Sequence, residues 1–403
     1  MKKLRFCMIT TFYPPYHTGG CGLHVYDLAN LLAEDGHHVE VIHCLDSYYL
    51  KEKRKRGGKY PHNKNVLVHS IKSNFGKLSP ISNYLFGYPL FTAGKIKRIL
   101  NRGFDIIHYH NISLFGGPYV LRLGKGIKLF TLHTYWLFCP THYLWKFKRE
   151  VCQKKECLMC QLRYGLPPQL WRYTNFRDRM LSKVDALIMP SQFMRDKHIE
   201  EGIKVRTDCI PYFVFPRQVL NTAYWEKELG KYKPFFLFVA RIEPYKGPQV
   251  AVKAFRKKKG DCRLLVVGSG SYMNLVKSLA GADPRIVFLG YTLRDKLSWL
   301  YKNAVALIVP SVWPEMGNQA VLDAMSFGTP VIAAENACLT ELVQENEAGI
   351  VYRTEEELIT ACDAMEDASL RSKYSAKARV AYNEHYTPRK FLEKYYELIK
   401  EFL

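Results

Sequence analysis

Short runs of apolar, β-branched residues alternate along this chain with longer amphipathic stretches, and the alternation occurs in both halves. The runs have the length of buried strands and the stretches have the length of helices, which is typical of βαβ units and parallel sheets. The pattern predicts strands at residues 5–10, 39–44, 105–110, 128–133 and 186–190, and then at 234–240, 263–268, 286–289, 305–309 and 329–333. The first helix is predicted at residues 22–35, with Gly36 as its stop signal. We therefore expect an α/β protein.

Two features divide the chain into domains. Pro211 and Pro216 interrupt the pattern ahead of the strand predicted at 234–240, which places a boundary near residues 211–230. The end of the chain predicts an amphipathic helix with one apolar face, formed by Phe391, Tyr395, Leu398 and Ile399. We expect an N-terminal domain at residues 1–212, a C-terminal domain at 213–385, and a final helix at 386–403 that packs back on the N-terminal domain.

The composition is that of a globular protein in a reducing compartment. Of the 403 residues, 48% are hydrophobic and 24% are charged, and no apolar run approaches the ~20 residues that a membrane helix needs. The apolar run after Arg5 resembles a signal peptide, but Pro14 and Pro15 interrupt it, so we interpret it as the first buried strand. These features predict a cytoplasmic protein.

The positive charge is concentrated in the first half. Residues 1–200 contain 31 Lys and Arg against 13 Asp and Glu, within a formal net charge of +22 for the chain, and the density is highest between Lys51 and Arg98. A basic surface attracts phosphate, nucleic acid or an anionic bilayer, whereas a solvated basic loop would carry no function. No nucleic-acid-binding module is visible, so we expect no nucleic acid partner and favour an anionic membrane surface.

Three motifs follow predicted strands, at the positions where open α/β sheets bind ligands. The first is the glycine turn Gly19-Gly20-Cys21-Gly22, which could place backbone amides and a helix N-terminus against a phosphate, although a plain tight turn has the same sequence. The second is residues 241–247, in which Arg241 and Lys246 could clamp a diphosphate; a surface loop with two solvated cations is the alternative.

The third motif is residues 310–325, which contains Glu315 and Asp323. We expect a helix that begins just after Glu315, so that the two carboxylates are separated by about 12 Å along it. Carboxylates at this separation could accept hydrogen bonds from a sugar and from the ribose of its nucleotide, whereas a capping Glu and an unrelated Asp are the alternative. No two aspartates stand two positions apart, so no divalent ion is implied at the diphosphate.

In this order, the motifs resemble the family-four glycosyltransferases. The resemblance rests on the Gly19-Gly20 loop, on Arg241 and Lys246-Gly247, and on the segment from Pro310 to Ile332, and it covers essentially the whole chain. It implies the GT-B fold, in which two Rossmann-like, doubly wound parallel-sheet domains face each other across a cleft. It further implies that the domain at residues 1–212 binds the acceptor and that the domain at 213–385 binds the nucleotide sugar. It also implies transfer of a sugar from a nucleotide donor with retention of the anomeric configuration.

The resemblance also assigns roles to individual residues. It implies that Arg241 and Lys246 hold the donor diphosphate, that Glu315 contacts the donor sugar, and that His133 reaches the sugar or the acceptor. Asp323 stands where the family has a ribose-binding Glu, a departure that shortens the side chain by one methylene. The remaining residues of the predicted donor site are Gly19, Gly20, Gly247, Gly317 and Asn318.

Four of the eleven cysteines form a cluster. Cys139, Cys152, Cys157 and Cys160 lie in an insert at residues 139–165 that is rich in Lys, Arg and aromatic residues. Four thiolates could close a structural zinc site, and disulfides, free thiols or an iron–sulfur cluster are the alternatives. Some members of the family have a similar cysteine-bearing insert, which places this chain in that subgroup and suggests a role in acceptor choice.

Together, these observations predict a retaining glycosyltransferase that uses a UDP- or GDP-type sugar donor and needs no cofactor for its chemistry. The expected acceptor is lipid-linked, a lipid or a growing polysaccharide, and the expected location is the cytoplasmic face of the membrane, with peripheral attachment. The alternative is a GT-B scaffold or non-enzymatic binding protein that has lost catalysis, since Asp323 departs from the family pattern.

Overall fold

The chain folds as two compact units. In the computed structural model, which describes residues 2–53, 57–292 and 294–403, the first unit comprises Met1–Ile210 with Tyr395–Leu403, and the second comprises Pro211–Lys394. Part of the basic run at residues 51–59 lies outside the described residues. The last helix, α16 (Pro388–Lys400), contributes to both units. Among the described residues, no helix has the length and apolar character that crossing a membrane requires.

The first unit is a parallel sheet flanked by helices. Its strands are β1 (Arg5–Ile9), β2 (His38–Cys44), β3 (Val66–Ile71), β4 (Ile106–Tyr109), β5 (Ile127–Thr131), the hairpin pair β6 (Trp145–Lys146) and β7 (Glu150–Val151), β8 (Ala186–Met189) and β9 (Thr207–Cys209). Its helices are α1 (Gly20–Glu34), α2 (Leu45–Lys51), α3 (Leu78–Phe86), α4 (Ala93–Leu100), α5 (Cys157–Arg163), α6 (Phe176–Leu181) and α7 (Gln192–Glu200). Short 3-10 turns occur at Gly117–Arg122 and Leu170–Tyr173.

The second unit has the same layered construction. Its strands are β10 (Phe235–Val239), β11 (Arg263–Val267), β12 (Ile286–Gly290), β13 (Leu307–Val309), β14 (Val331–Ala334) and β15 (Gly349–Tyr352). Its helices are α8 (Thr222–Leu229), α9 (Pro248–Lys257), α10 (Met273–Ala280), α11 (Arg294–Asn303), α12 (Gln319–Phe327), α13 (Ala337–Thr340), α14 (Glu355–Glu366) and α15 (Ala368–His385). Gly230–Tyr232 and Pro244–Lys246 are 3-10 turns, and Glu341–Glu345 is a π turn.

Both main sheets are wholly parallel and have a Rossmann-like strand order. The first runs β3-β2-β1-β4-β5-β8-β9, and the second runs β12-β11-β10-β13-β14-β15. The order reverses direction between β1 and β4, and again between β10 and β13. In open α/β sheets, ligands bind outside the carboxyl ends of the strands at such a reversal point. The topology therefore directs attention to the loops that follow β1, β4, β10 and β13.

The side chains of β10 show why the strand pattern was readable in the sequence. Phe235 and Leu237 enter one apolar cluster of the second unit, whereas Phe236 and Phe238 enter another. Successive side chains point to opposite faces of a strand, so a helix layer must cover each face of the sheet. A strand buried on both faces appears as a continuous apolar run. All ten predicted strands are present, and all but the edge strand β12 are largely buried.

Candidate functional site

Two loops meet at the reversal point of the second sheet. One follows β10 and contains Arg241–Gly247; the other follows β13 and contains residues 310–318. The backbone N–H of Val312 donates to the carbonyl of Tyr245 over 3.0 Å. Gly247 adopts φ +72°, and a Cβ built there would lie 1.7 Å from the carbonyl oxygen of Pro310. The close approach of these loops thus requires glycine at position 247.

A buried carboxylate organises the two loops. Glu315 is 2% exposed, and its Oε1 atom accepts from Lys246 Nζ over 2.7 Å and from Ser311 Oγ over 2.6 Å. Two donors on one oxygen fix the orientation of the carboxylate and hold the lysine charge in place. The structure therefore brings together Lys246 and Glu315, and adds Ser311, which the sequence analysis did not single out although it stands four positions before Glu315.

Aromatic rings extend this group toward Arg241. Trp313 lies edge-on to Tyr245 with 5.3 Å between ring centres, and Lys246 Nζ lies 4.9 Å from the centre of the Trp313 ring. The guanidinium of Arg241, an exposed residue, lies 5.8 Å from the centre of the Tyr245 ring. Rings within about 6 Å of a cation attract it through their negatively charged faces. Both predicted diphosphate ligands thus lie at one end of the sheet, and the aromatic residues restrict their positions.

The helix after Glu315 begins later than the sequence analysis expected. Helix α12 starts at Gln319, and Asn318 caps it, because Asn318 Oδ1 accepts from the backbone N–H groups of Ala320 and Val321. Asn is among the preferred N-cap residues, so the signal for this start was present in the sequence. Asp323 lies in the helix but Glu315 does not, so the predicted separation of 12 Å along one helix was wrong.

Asp323 has a partner that the sequence did not reveal. Its Oδ1 atom lies 3.2 Å from a guanidinium nitrogen of Arg217, and its side chain is 11% exposed. Burial raises the pKa of the neighbouring Tyr301 phenol, and the charge of Asp323 raises it further. The carboxylate is therefore part of an ion pair within the second unit. Its predicted contact with ribose stays a prediction.

The predicted phosphate loop of the first unit precedes α1. Gly19 is the N-cap residue, with extended backbone, and Gly20 is the first residue of the helix. A Cβ at Gly19 would meet no atom within 4 Å, whereas one at Gly22 would lie 2.9 Å from the carbonyl oxygen of Phe12. Close packing thus requires glycine at position 22, and the space beside Gly19 is open. Phosphate binding by Gly19 and Gly20 remains a prediction.

His133 belongs to a group of four buried histidines. The sequence analysis named His133 but missed the other three. His108 and His110 come from the end of β4, His133 follows β5, and His24 lies in α1. The Nδ1 atom of His110 lies 3.1 Å from Nε2 of His133, and the centre of the His24 ring lies 5.5 Å from that of His133. Two histidines at alternate positions of one strand end were the available signal. We call these four residues the histidine cluster.

All four imidazoles of the histidine cluster are in an environment that disfavours the charged form. Burial lowers the pKa of His24 to about 3. Burial and the neighbouring His24 lower the pKa of His108 to about 3. Burial, followed by repulsion from the other imidazoles, lowers the pKa of His110 and of His133 well below the ordinary value. The cluster is therefore neutral near pH 7.

The four clustered cysteines do not form the predicted zinc site. In the described part of the chain, no group of three or more His, Cys, Asp and Glu side chains could hold a metal ion, and every cysteine is a free thiol. Cys139 Sγ contacts Thr141 Oγ1 and the N–H of Leu144, and Cys152 Sγ contacts the carbonyl of Lys154. Burial and the other three thiols raise the pKa of Cys152 to about 11. Cys139 and Cys152 thus contact local polar groups, and zinc is not supported.

Comparison with known proteins supports the resemblance to glycosyltransferases. The family model described as Glycosyltransferase Family 4 matches residues 18–216, and that of Glycosyl transferases group 1 matches residues 222–381. An uncharacterised glycosyltransferase of Methanocaldococcus jannaschii is 24% identical over 86% of this chain and 84% of its own length. The alpha-monoglucosyldiacylglycerol synthase of Streptococcus pneumoniae is 29% identical over 45% of this chain and 44% of the synthase.

A solved structure shares the fold. Anabaena HepE in complex with UDP-glucose superposes with a TM-score of 0.70 and 16% identity, over 99% of this chain and 100% of HepE. This likeness and the two Rossmann-like units define the GT-B fold. Within that class, the chain belongs to the family-four glycosyltransferases, as the two family models show.

Proposed function

We propose that this glycosyltransferase takes its sugar from a nucleotide donor whose diphosphate binds at Arg241 and Lys246. The observation that carries the proposal is the buried Lys246–Glu315–Ser311 group, which holds a cation at the end of β10 where open α/β sheets bind ligands. Arg241 offers a planar fork for phosphate oxygens from the same loop. The complex of HepE with UDP-glucose supports a uridine donor.

The proposed reaction is driven by electrostatic stabilisation of the leaving group. As the bond from the anomeric carbon to the diphosphate breaks, Arg241, Lys246 and the positive end of α12 beside Gly317 stabilise the developing charge. The acceptor hydroxyl attacks the anomeric carbon from the face that the diphosphate leaves, and a phosphate oxygen takes its proton. The new bond then has the anomeric configuration of the donor, and no protein nucleophile takes part.

Thermal unfolding with and without nucleotides tests the donor site. We would compare UDP, GDP, ADP, CMP and UDP-glucose, since a ligand at about a hundred times its Kd stabilises a protein by about 2.7 kcal/mol. The expected result is stabilisation by UDP and UDP-glucose that is lost in Arg241→Ala. The control is Lys253→Ala, which removes an exposed cation of α9 in the same unit. A folded protein that no nucleotide stabilises would favour the non-catalytic scaffold.

We propose further that the first unit docks on an anionic membrane and that its acceptor is a lipid, a lipid-linked glycan or a polysaccharide made there. No Asp or Glu stands between Glu52 and Asp105, a stretch with twelve Lys and Arg. Each Lys or Arg near an anionic surface contributes about 1 kcal/mol. The relative from Streptococcus pneumoniae is named as a glycolipid synthase, which supports a membrane-bound acceptor.

Exposed apolar side chains accompany these cations. Phe75, Leu78, Phe86 and Leu90 lie in or beside α3, and each is more than half exposed. Such residues insert between lipid headgroups while nearby cations bind the surface. The proposal places these residues against the cytoplasmic leaflet, as a peripheral attachment.

Vesicle flotation tests the membrane proposal. The native chain should float with phosphatidylglycerol-containing vesicles and not with pure phosphatidylcholine, and the double variant Leu78→Ser, Phe86→Ser should float poorly with either. Leu275→Ser is the control, because Leu275 is a comparably exposed leucine of α10 in the second unit. Equal flotation with both vesicle types would overturn the electrostatic part of the proposal.

A further inference from the structure

Asn336, which follows β14, is bonded to the loop that carries Glu315. That loop comprises residues 310–318 and follows β13, the parallel neighbour of β14, and we call it the Glu315 loop. The Nδ2 atom of Asn336 donates to the carbonyl of Ser311 over 2.8 Å and also to the carbonyl of Trp313. A side-chain amide has two N–H donors, and here each has a carbonyl partner. One residue therefore holds the Glu315 loop at two points.

The side chain of Asn336 does not serve the helix that it precedes. Asn336 is the N-cap residue of α13, a position where Asn is favoured because its oxygen can accept from the first N–H groups of a helix. Asn318 accepts such bonds at the start of α12, whereas within the described part of the chain the side chain of Asn336 accepts none from α13. The next residue, Ala337, has a φ of +43°, and such strain persists where the surrounding structure fixes the backbone. Capping therefore does not account for this asparagine.

The Glu315 loop depends on side-chain hydrogen bonds for its rigidity. Residues 310–318 form neither helix nor strand, and Pro310 and Pro314 have no N–H group to donate. Ser311 and Trp313 are each 2% exposed. A buried carbonyl without a donor costs free energy, so the two bonds from the asparagine amide stabilise this course of the backbone.

The hydrogen bonds continue from Asn336 to the buried carboxylate. Ser311, whose carbonyl accepts from Asn336, donates through its Oγ to Oε1 of Glu315 over 2.6 Å. Lys246 Nζ donates to the same carboxylate oxygen over 2.7 Å. The orientation of the carboxylate, and with it the position of the lysine charge, therefore depends on where the backbone of Ser311 is held.

We propose that Asn336 is a positioning residue of the donor site, which fixes the Glu315 loop and thereby orients the carboxylate of Glu315 and the ammonium of Lys246. It acts through Ser311 and Trp313 rather than by contact with the nucleotide sugar. Its consequence for binding of a nucleotide sugar rests on the proposed function. The restraint of the loop rests only on contacts within the second unit.

Hydrogen exchange read by mass spectrometry tests the restraint without any nucleotide. In Asn336→Ala, peptides that contain Val312 should exchange about tenfold faster than in the native chain, because the loop opens more readily once two hydrogen bonds are lost. The matched control is Asn346→Ala, since Nδ2 of Asn346 also donates to two carbonyls of the second unit, those of Glu341 and Leu342, each over 3.2 Å. The control should leave exchange at Val312 unchanged.

Exchange in β11 of the same samples measures any general loss of stability in the second unit. An unchanged rate at Val312 in Asn336→Ala, or an equal rise in Asn346→Ala, would overturn the proposal. Asn336→Ser, which keeps one short donor, takes the place of the alanine variant if that variant does not fold.

Calorimetric titration with UDP-glucose tests the consequence for the donor. The Kd should rise about tenfold in Asn336→Ala, comparable to the loss on removal of an outer-shell partner at a metal site, and should stay unchanged in Asn346→Ala. Because Asn336 acts through the Glu315 loop, adding Asn336→Ala to Glu315→Gln should raise the Kd much less than tenfold further. Independent losses that multiply in the double variant would overturn the proposal. A native chain that binds no UDP-glucose would contradict the proposed function, and hydrogen exchange would still decide the role of Asn336.

Discussion

Individual residues of the donor loops are constrained by the backbone as much as by their side chains. Gly247 combines a left-handed conformation with a position at which a Cβ would lie 1.7 Å from the carbonyl oxygen of Pro310. In the sequence, Lys246-Gly247 draws attention only through the charge of the lysine. In the structure, the glycine permits the close approach of the two loops, and this approach brings Lys246 to Glu315.

Gly247→Ala should destabilise the second unit severely. The new methyl group would overlap the Pro310 oxygen, in addition to the cost of about 1–2 kcal/mol for a left-handed alanine. Gly328→Ala is the matched control, since Gly328 has nearly the same left-handed conformation, with φ +71° and ψ +26°, but a methyl group there would come no closer than 3.2 Å to another atom. Urea unfolding should show a clearly larger loss for position 247, and equal losses would show that the loops separate freely.

The ion pair of Asp323 with Arg217 makes a second prediction at this scale. Arg217→Met should cost about 2 kcal/mol of unfolding free energy, because it leaves a carboxylate that is 11% exposed without its cation. Adding Asp323→Asn should recover much of the loss. Urea unfolding of the native chain, the two single variants and the double variant gives the coupling energy between the two side chains. Strictly additive effects would mean that the ion pair contributes nothing to the free energy of unfolding.

At the scale of elements, the sheet centres were predictable and three of the four sheet edges were not. The ten predicted strands include all those buried on both faces, whereas β3, β9 and β15 were missed. These three lie at the edges of the two sheets and are only partly buried, so they lack a continuous apolar run. The hairpin of β6 and β7 was missed because each strand has two residues.

One carboxylate links several elements of the first sheet. Glu40 of β2 is 2% exposed and accepts from His69 of β3 over 2.6 Å and from Arg102 after α4 over 3.2 Å. Burial alone would raise its pKa, but hydrogen bonds from His69 and His38 and the charge of Arg102 outweigh burial and lower the pKa of Glu40. The carboxylate therefore stabilises the fold in its charged form.

Glu40→Gln should accordingly destabilise the first unit by about 2 kcal/mol near pH 7. A group whose folded pKa is lowered contributes its stability above its unfolded pKa, here 4.5, and loses it as the pH falls through the folded value. The difference between variant and native chain should thus shrink below pH 4.5. Urea unfolding at pH 7, 5 and 4 measures it, and a difference that grows on acidification would refute the assignment.

At the scale of the whole molecule, titratable groups are distributed unevenly. Of the 13 histidines, twelve precede residue 211 and only His385 belongs to the second unit. Burial lowers the pKa of His24 to about 3, of His43 to about 4 and, with His24, of His108 to about 3. Protons therefore bind far more readily to these side chains when the first unit is unfolded.

Acid should for that reason unfold the first unit before the second. A histidine kept neutral by burial contributes stability above its unfolded pKa of 6.5, and this contribution falls progressively between pH 6.5 and its folded value. Hydrogen exchange read by mass spectrometry at pH 7 and pH 5, corrected for intrinsic rates, should show earlier loss of protection in β1, β4 and β5 than in β10 and β13. Simultaneous loss in both sheets would contradict the prediction.

The sequence by itself determined the fold class, the buried strands and the placement of the donor motifs, because each of these depends on residues that are contiguous in the chain. Apolar runs form strands, and a motif that directly follows a strand must lie at its carboxyl end. The tertiary structure decided which side chains meet. Tyr395 and His108 are 287 positions apart and share a hydrogen bond, and the Arg217–Asp323 pair has no local pattern. In the histidine cluster, only His108 and His110 are near each other in the chain. The outcome for the four cysteines was likewise not determined by the sequence, since their spacing in the chain fits a metal site that is not found among the described residues.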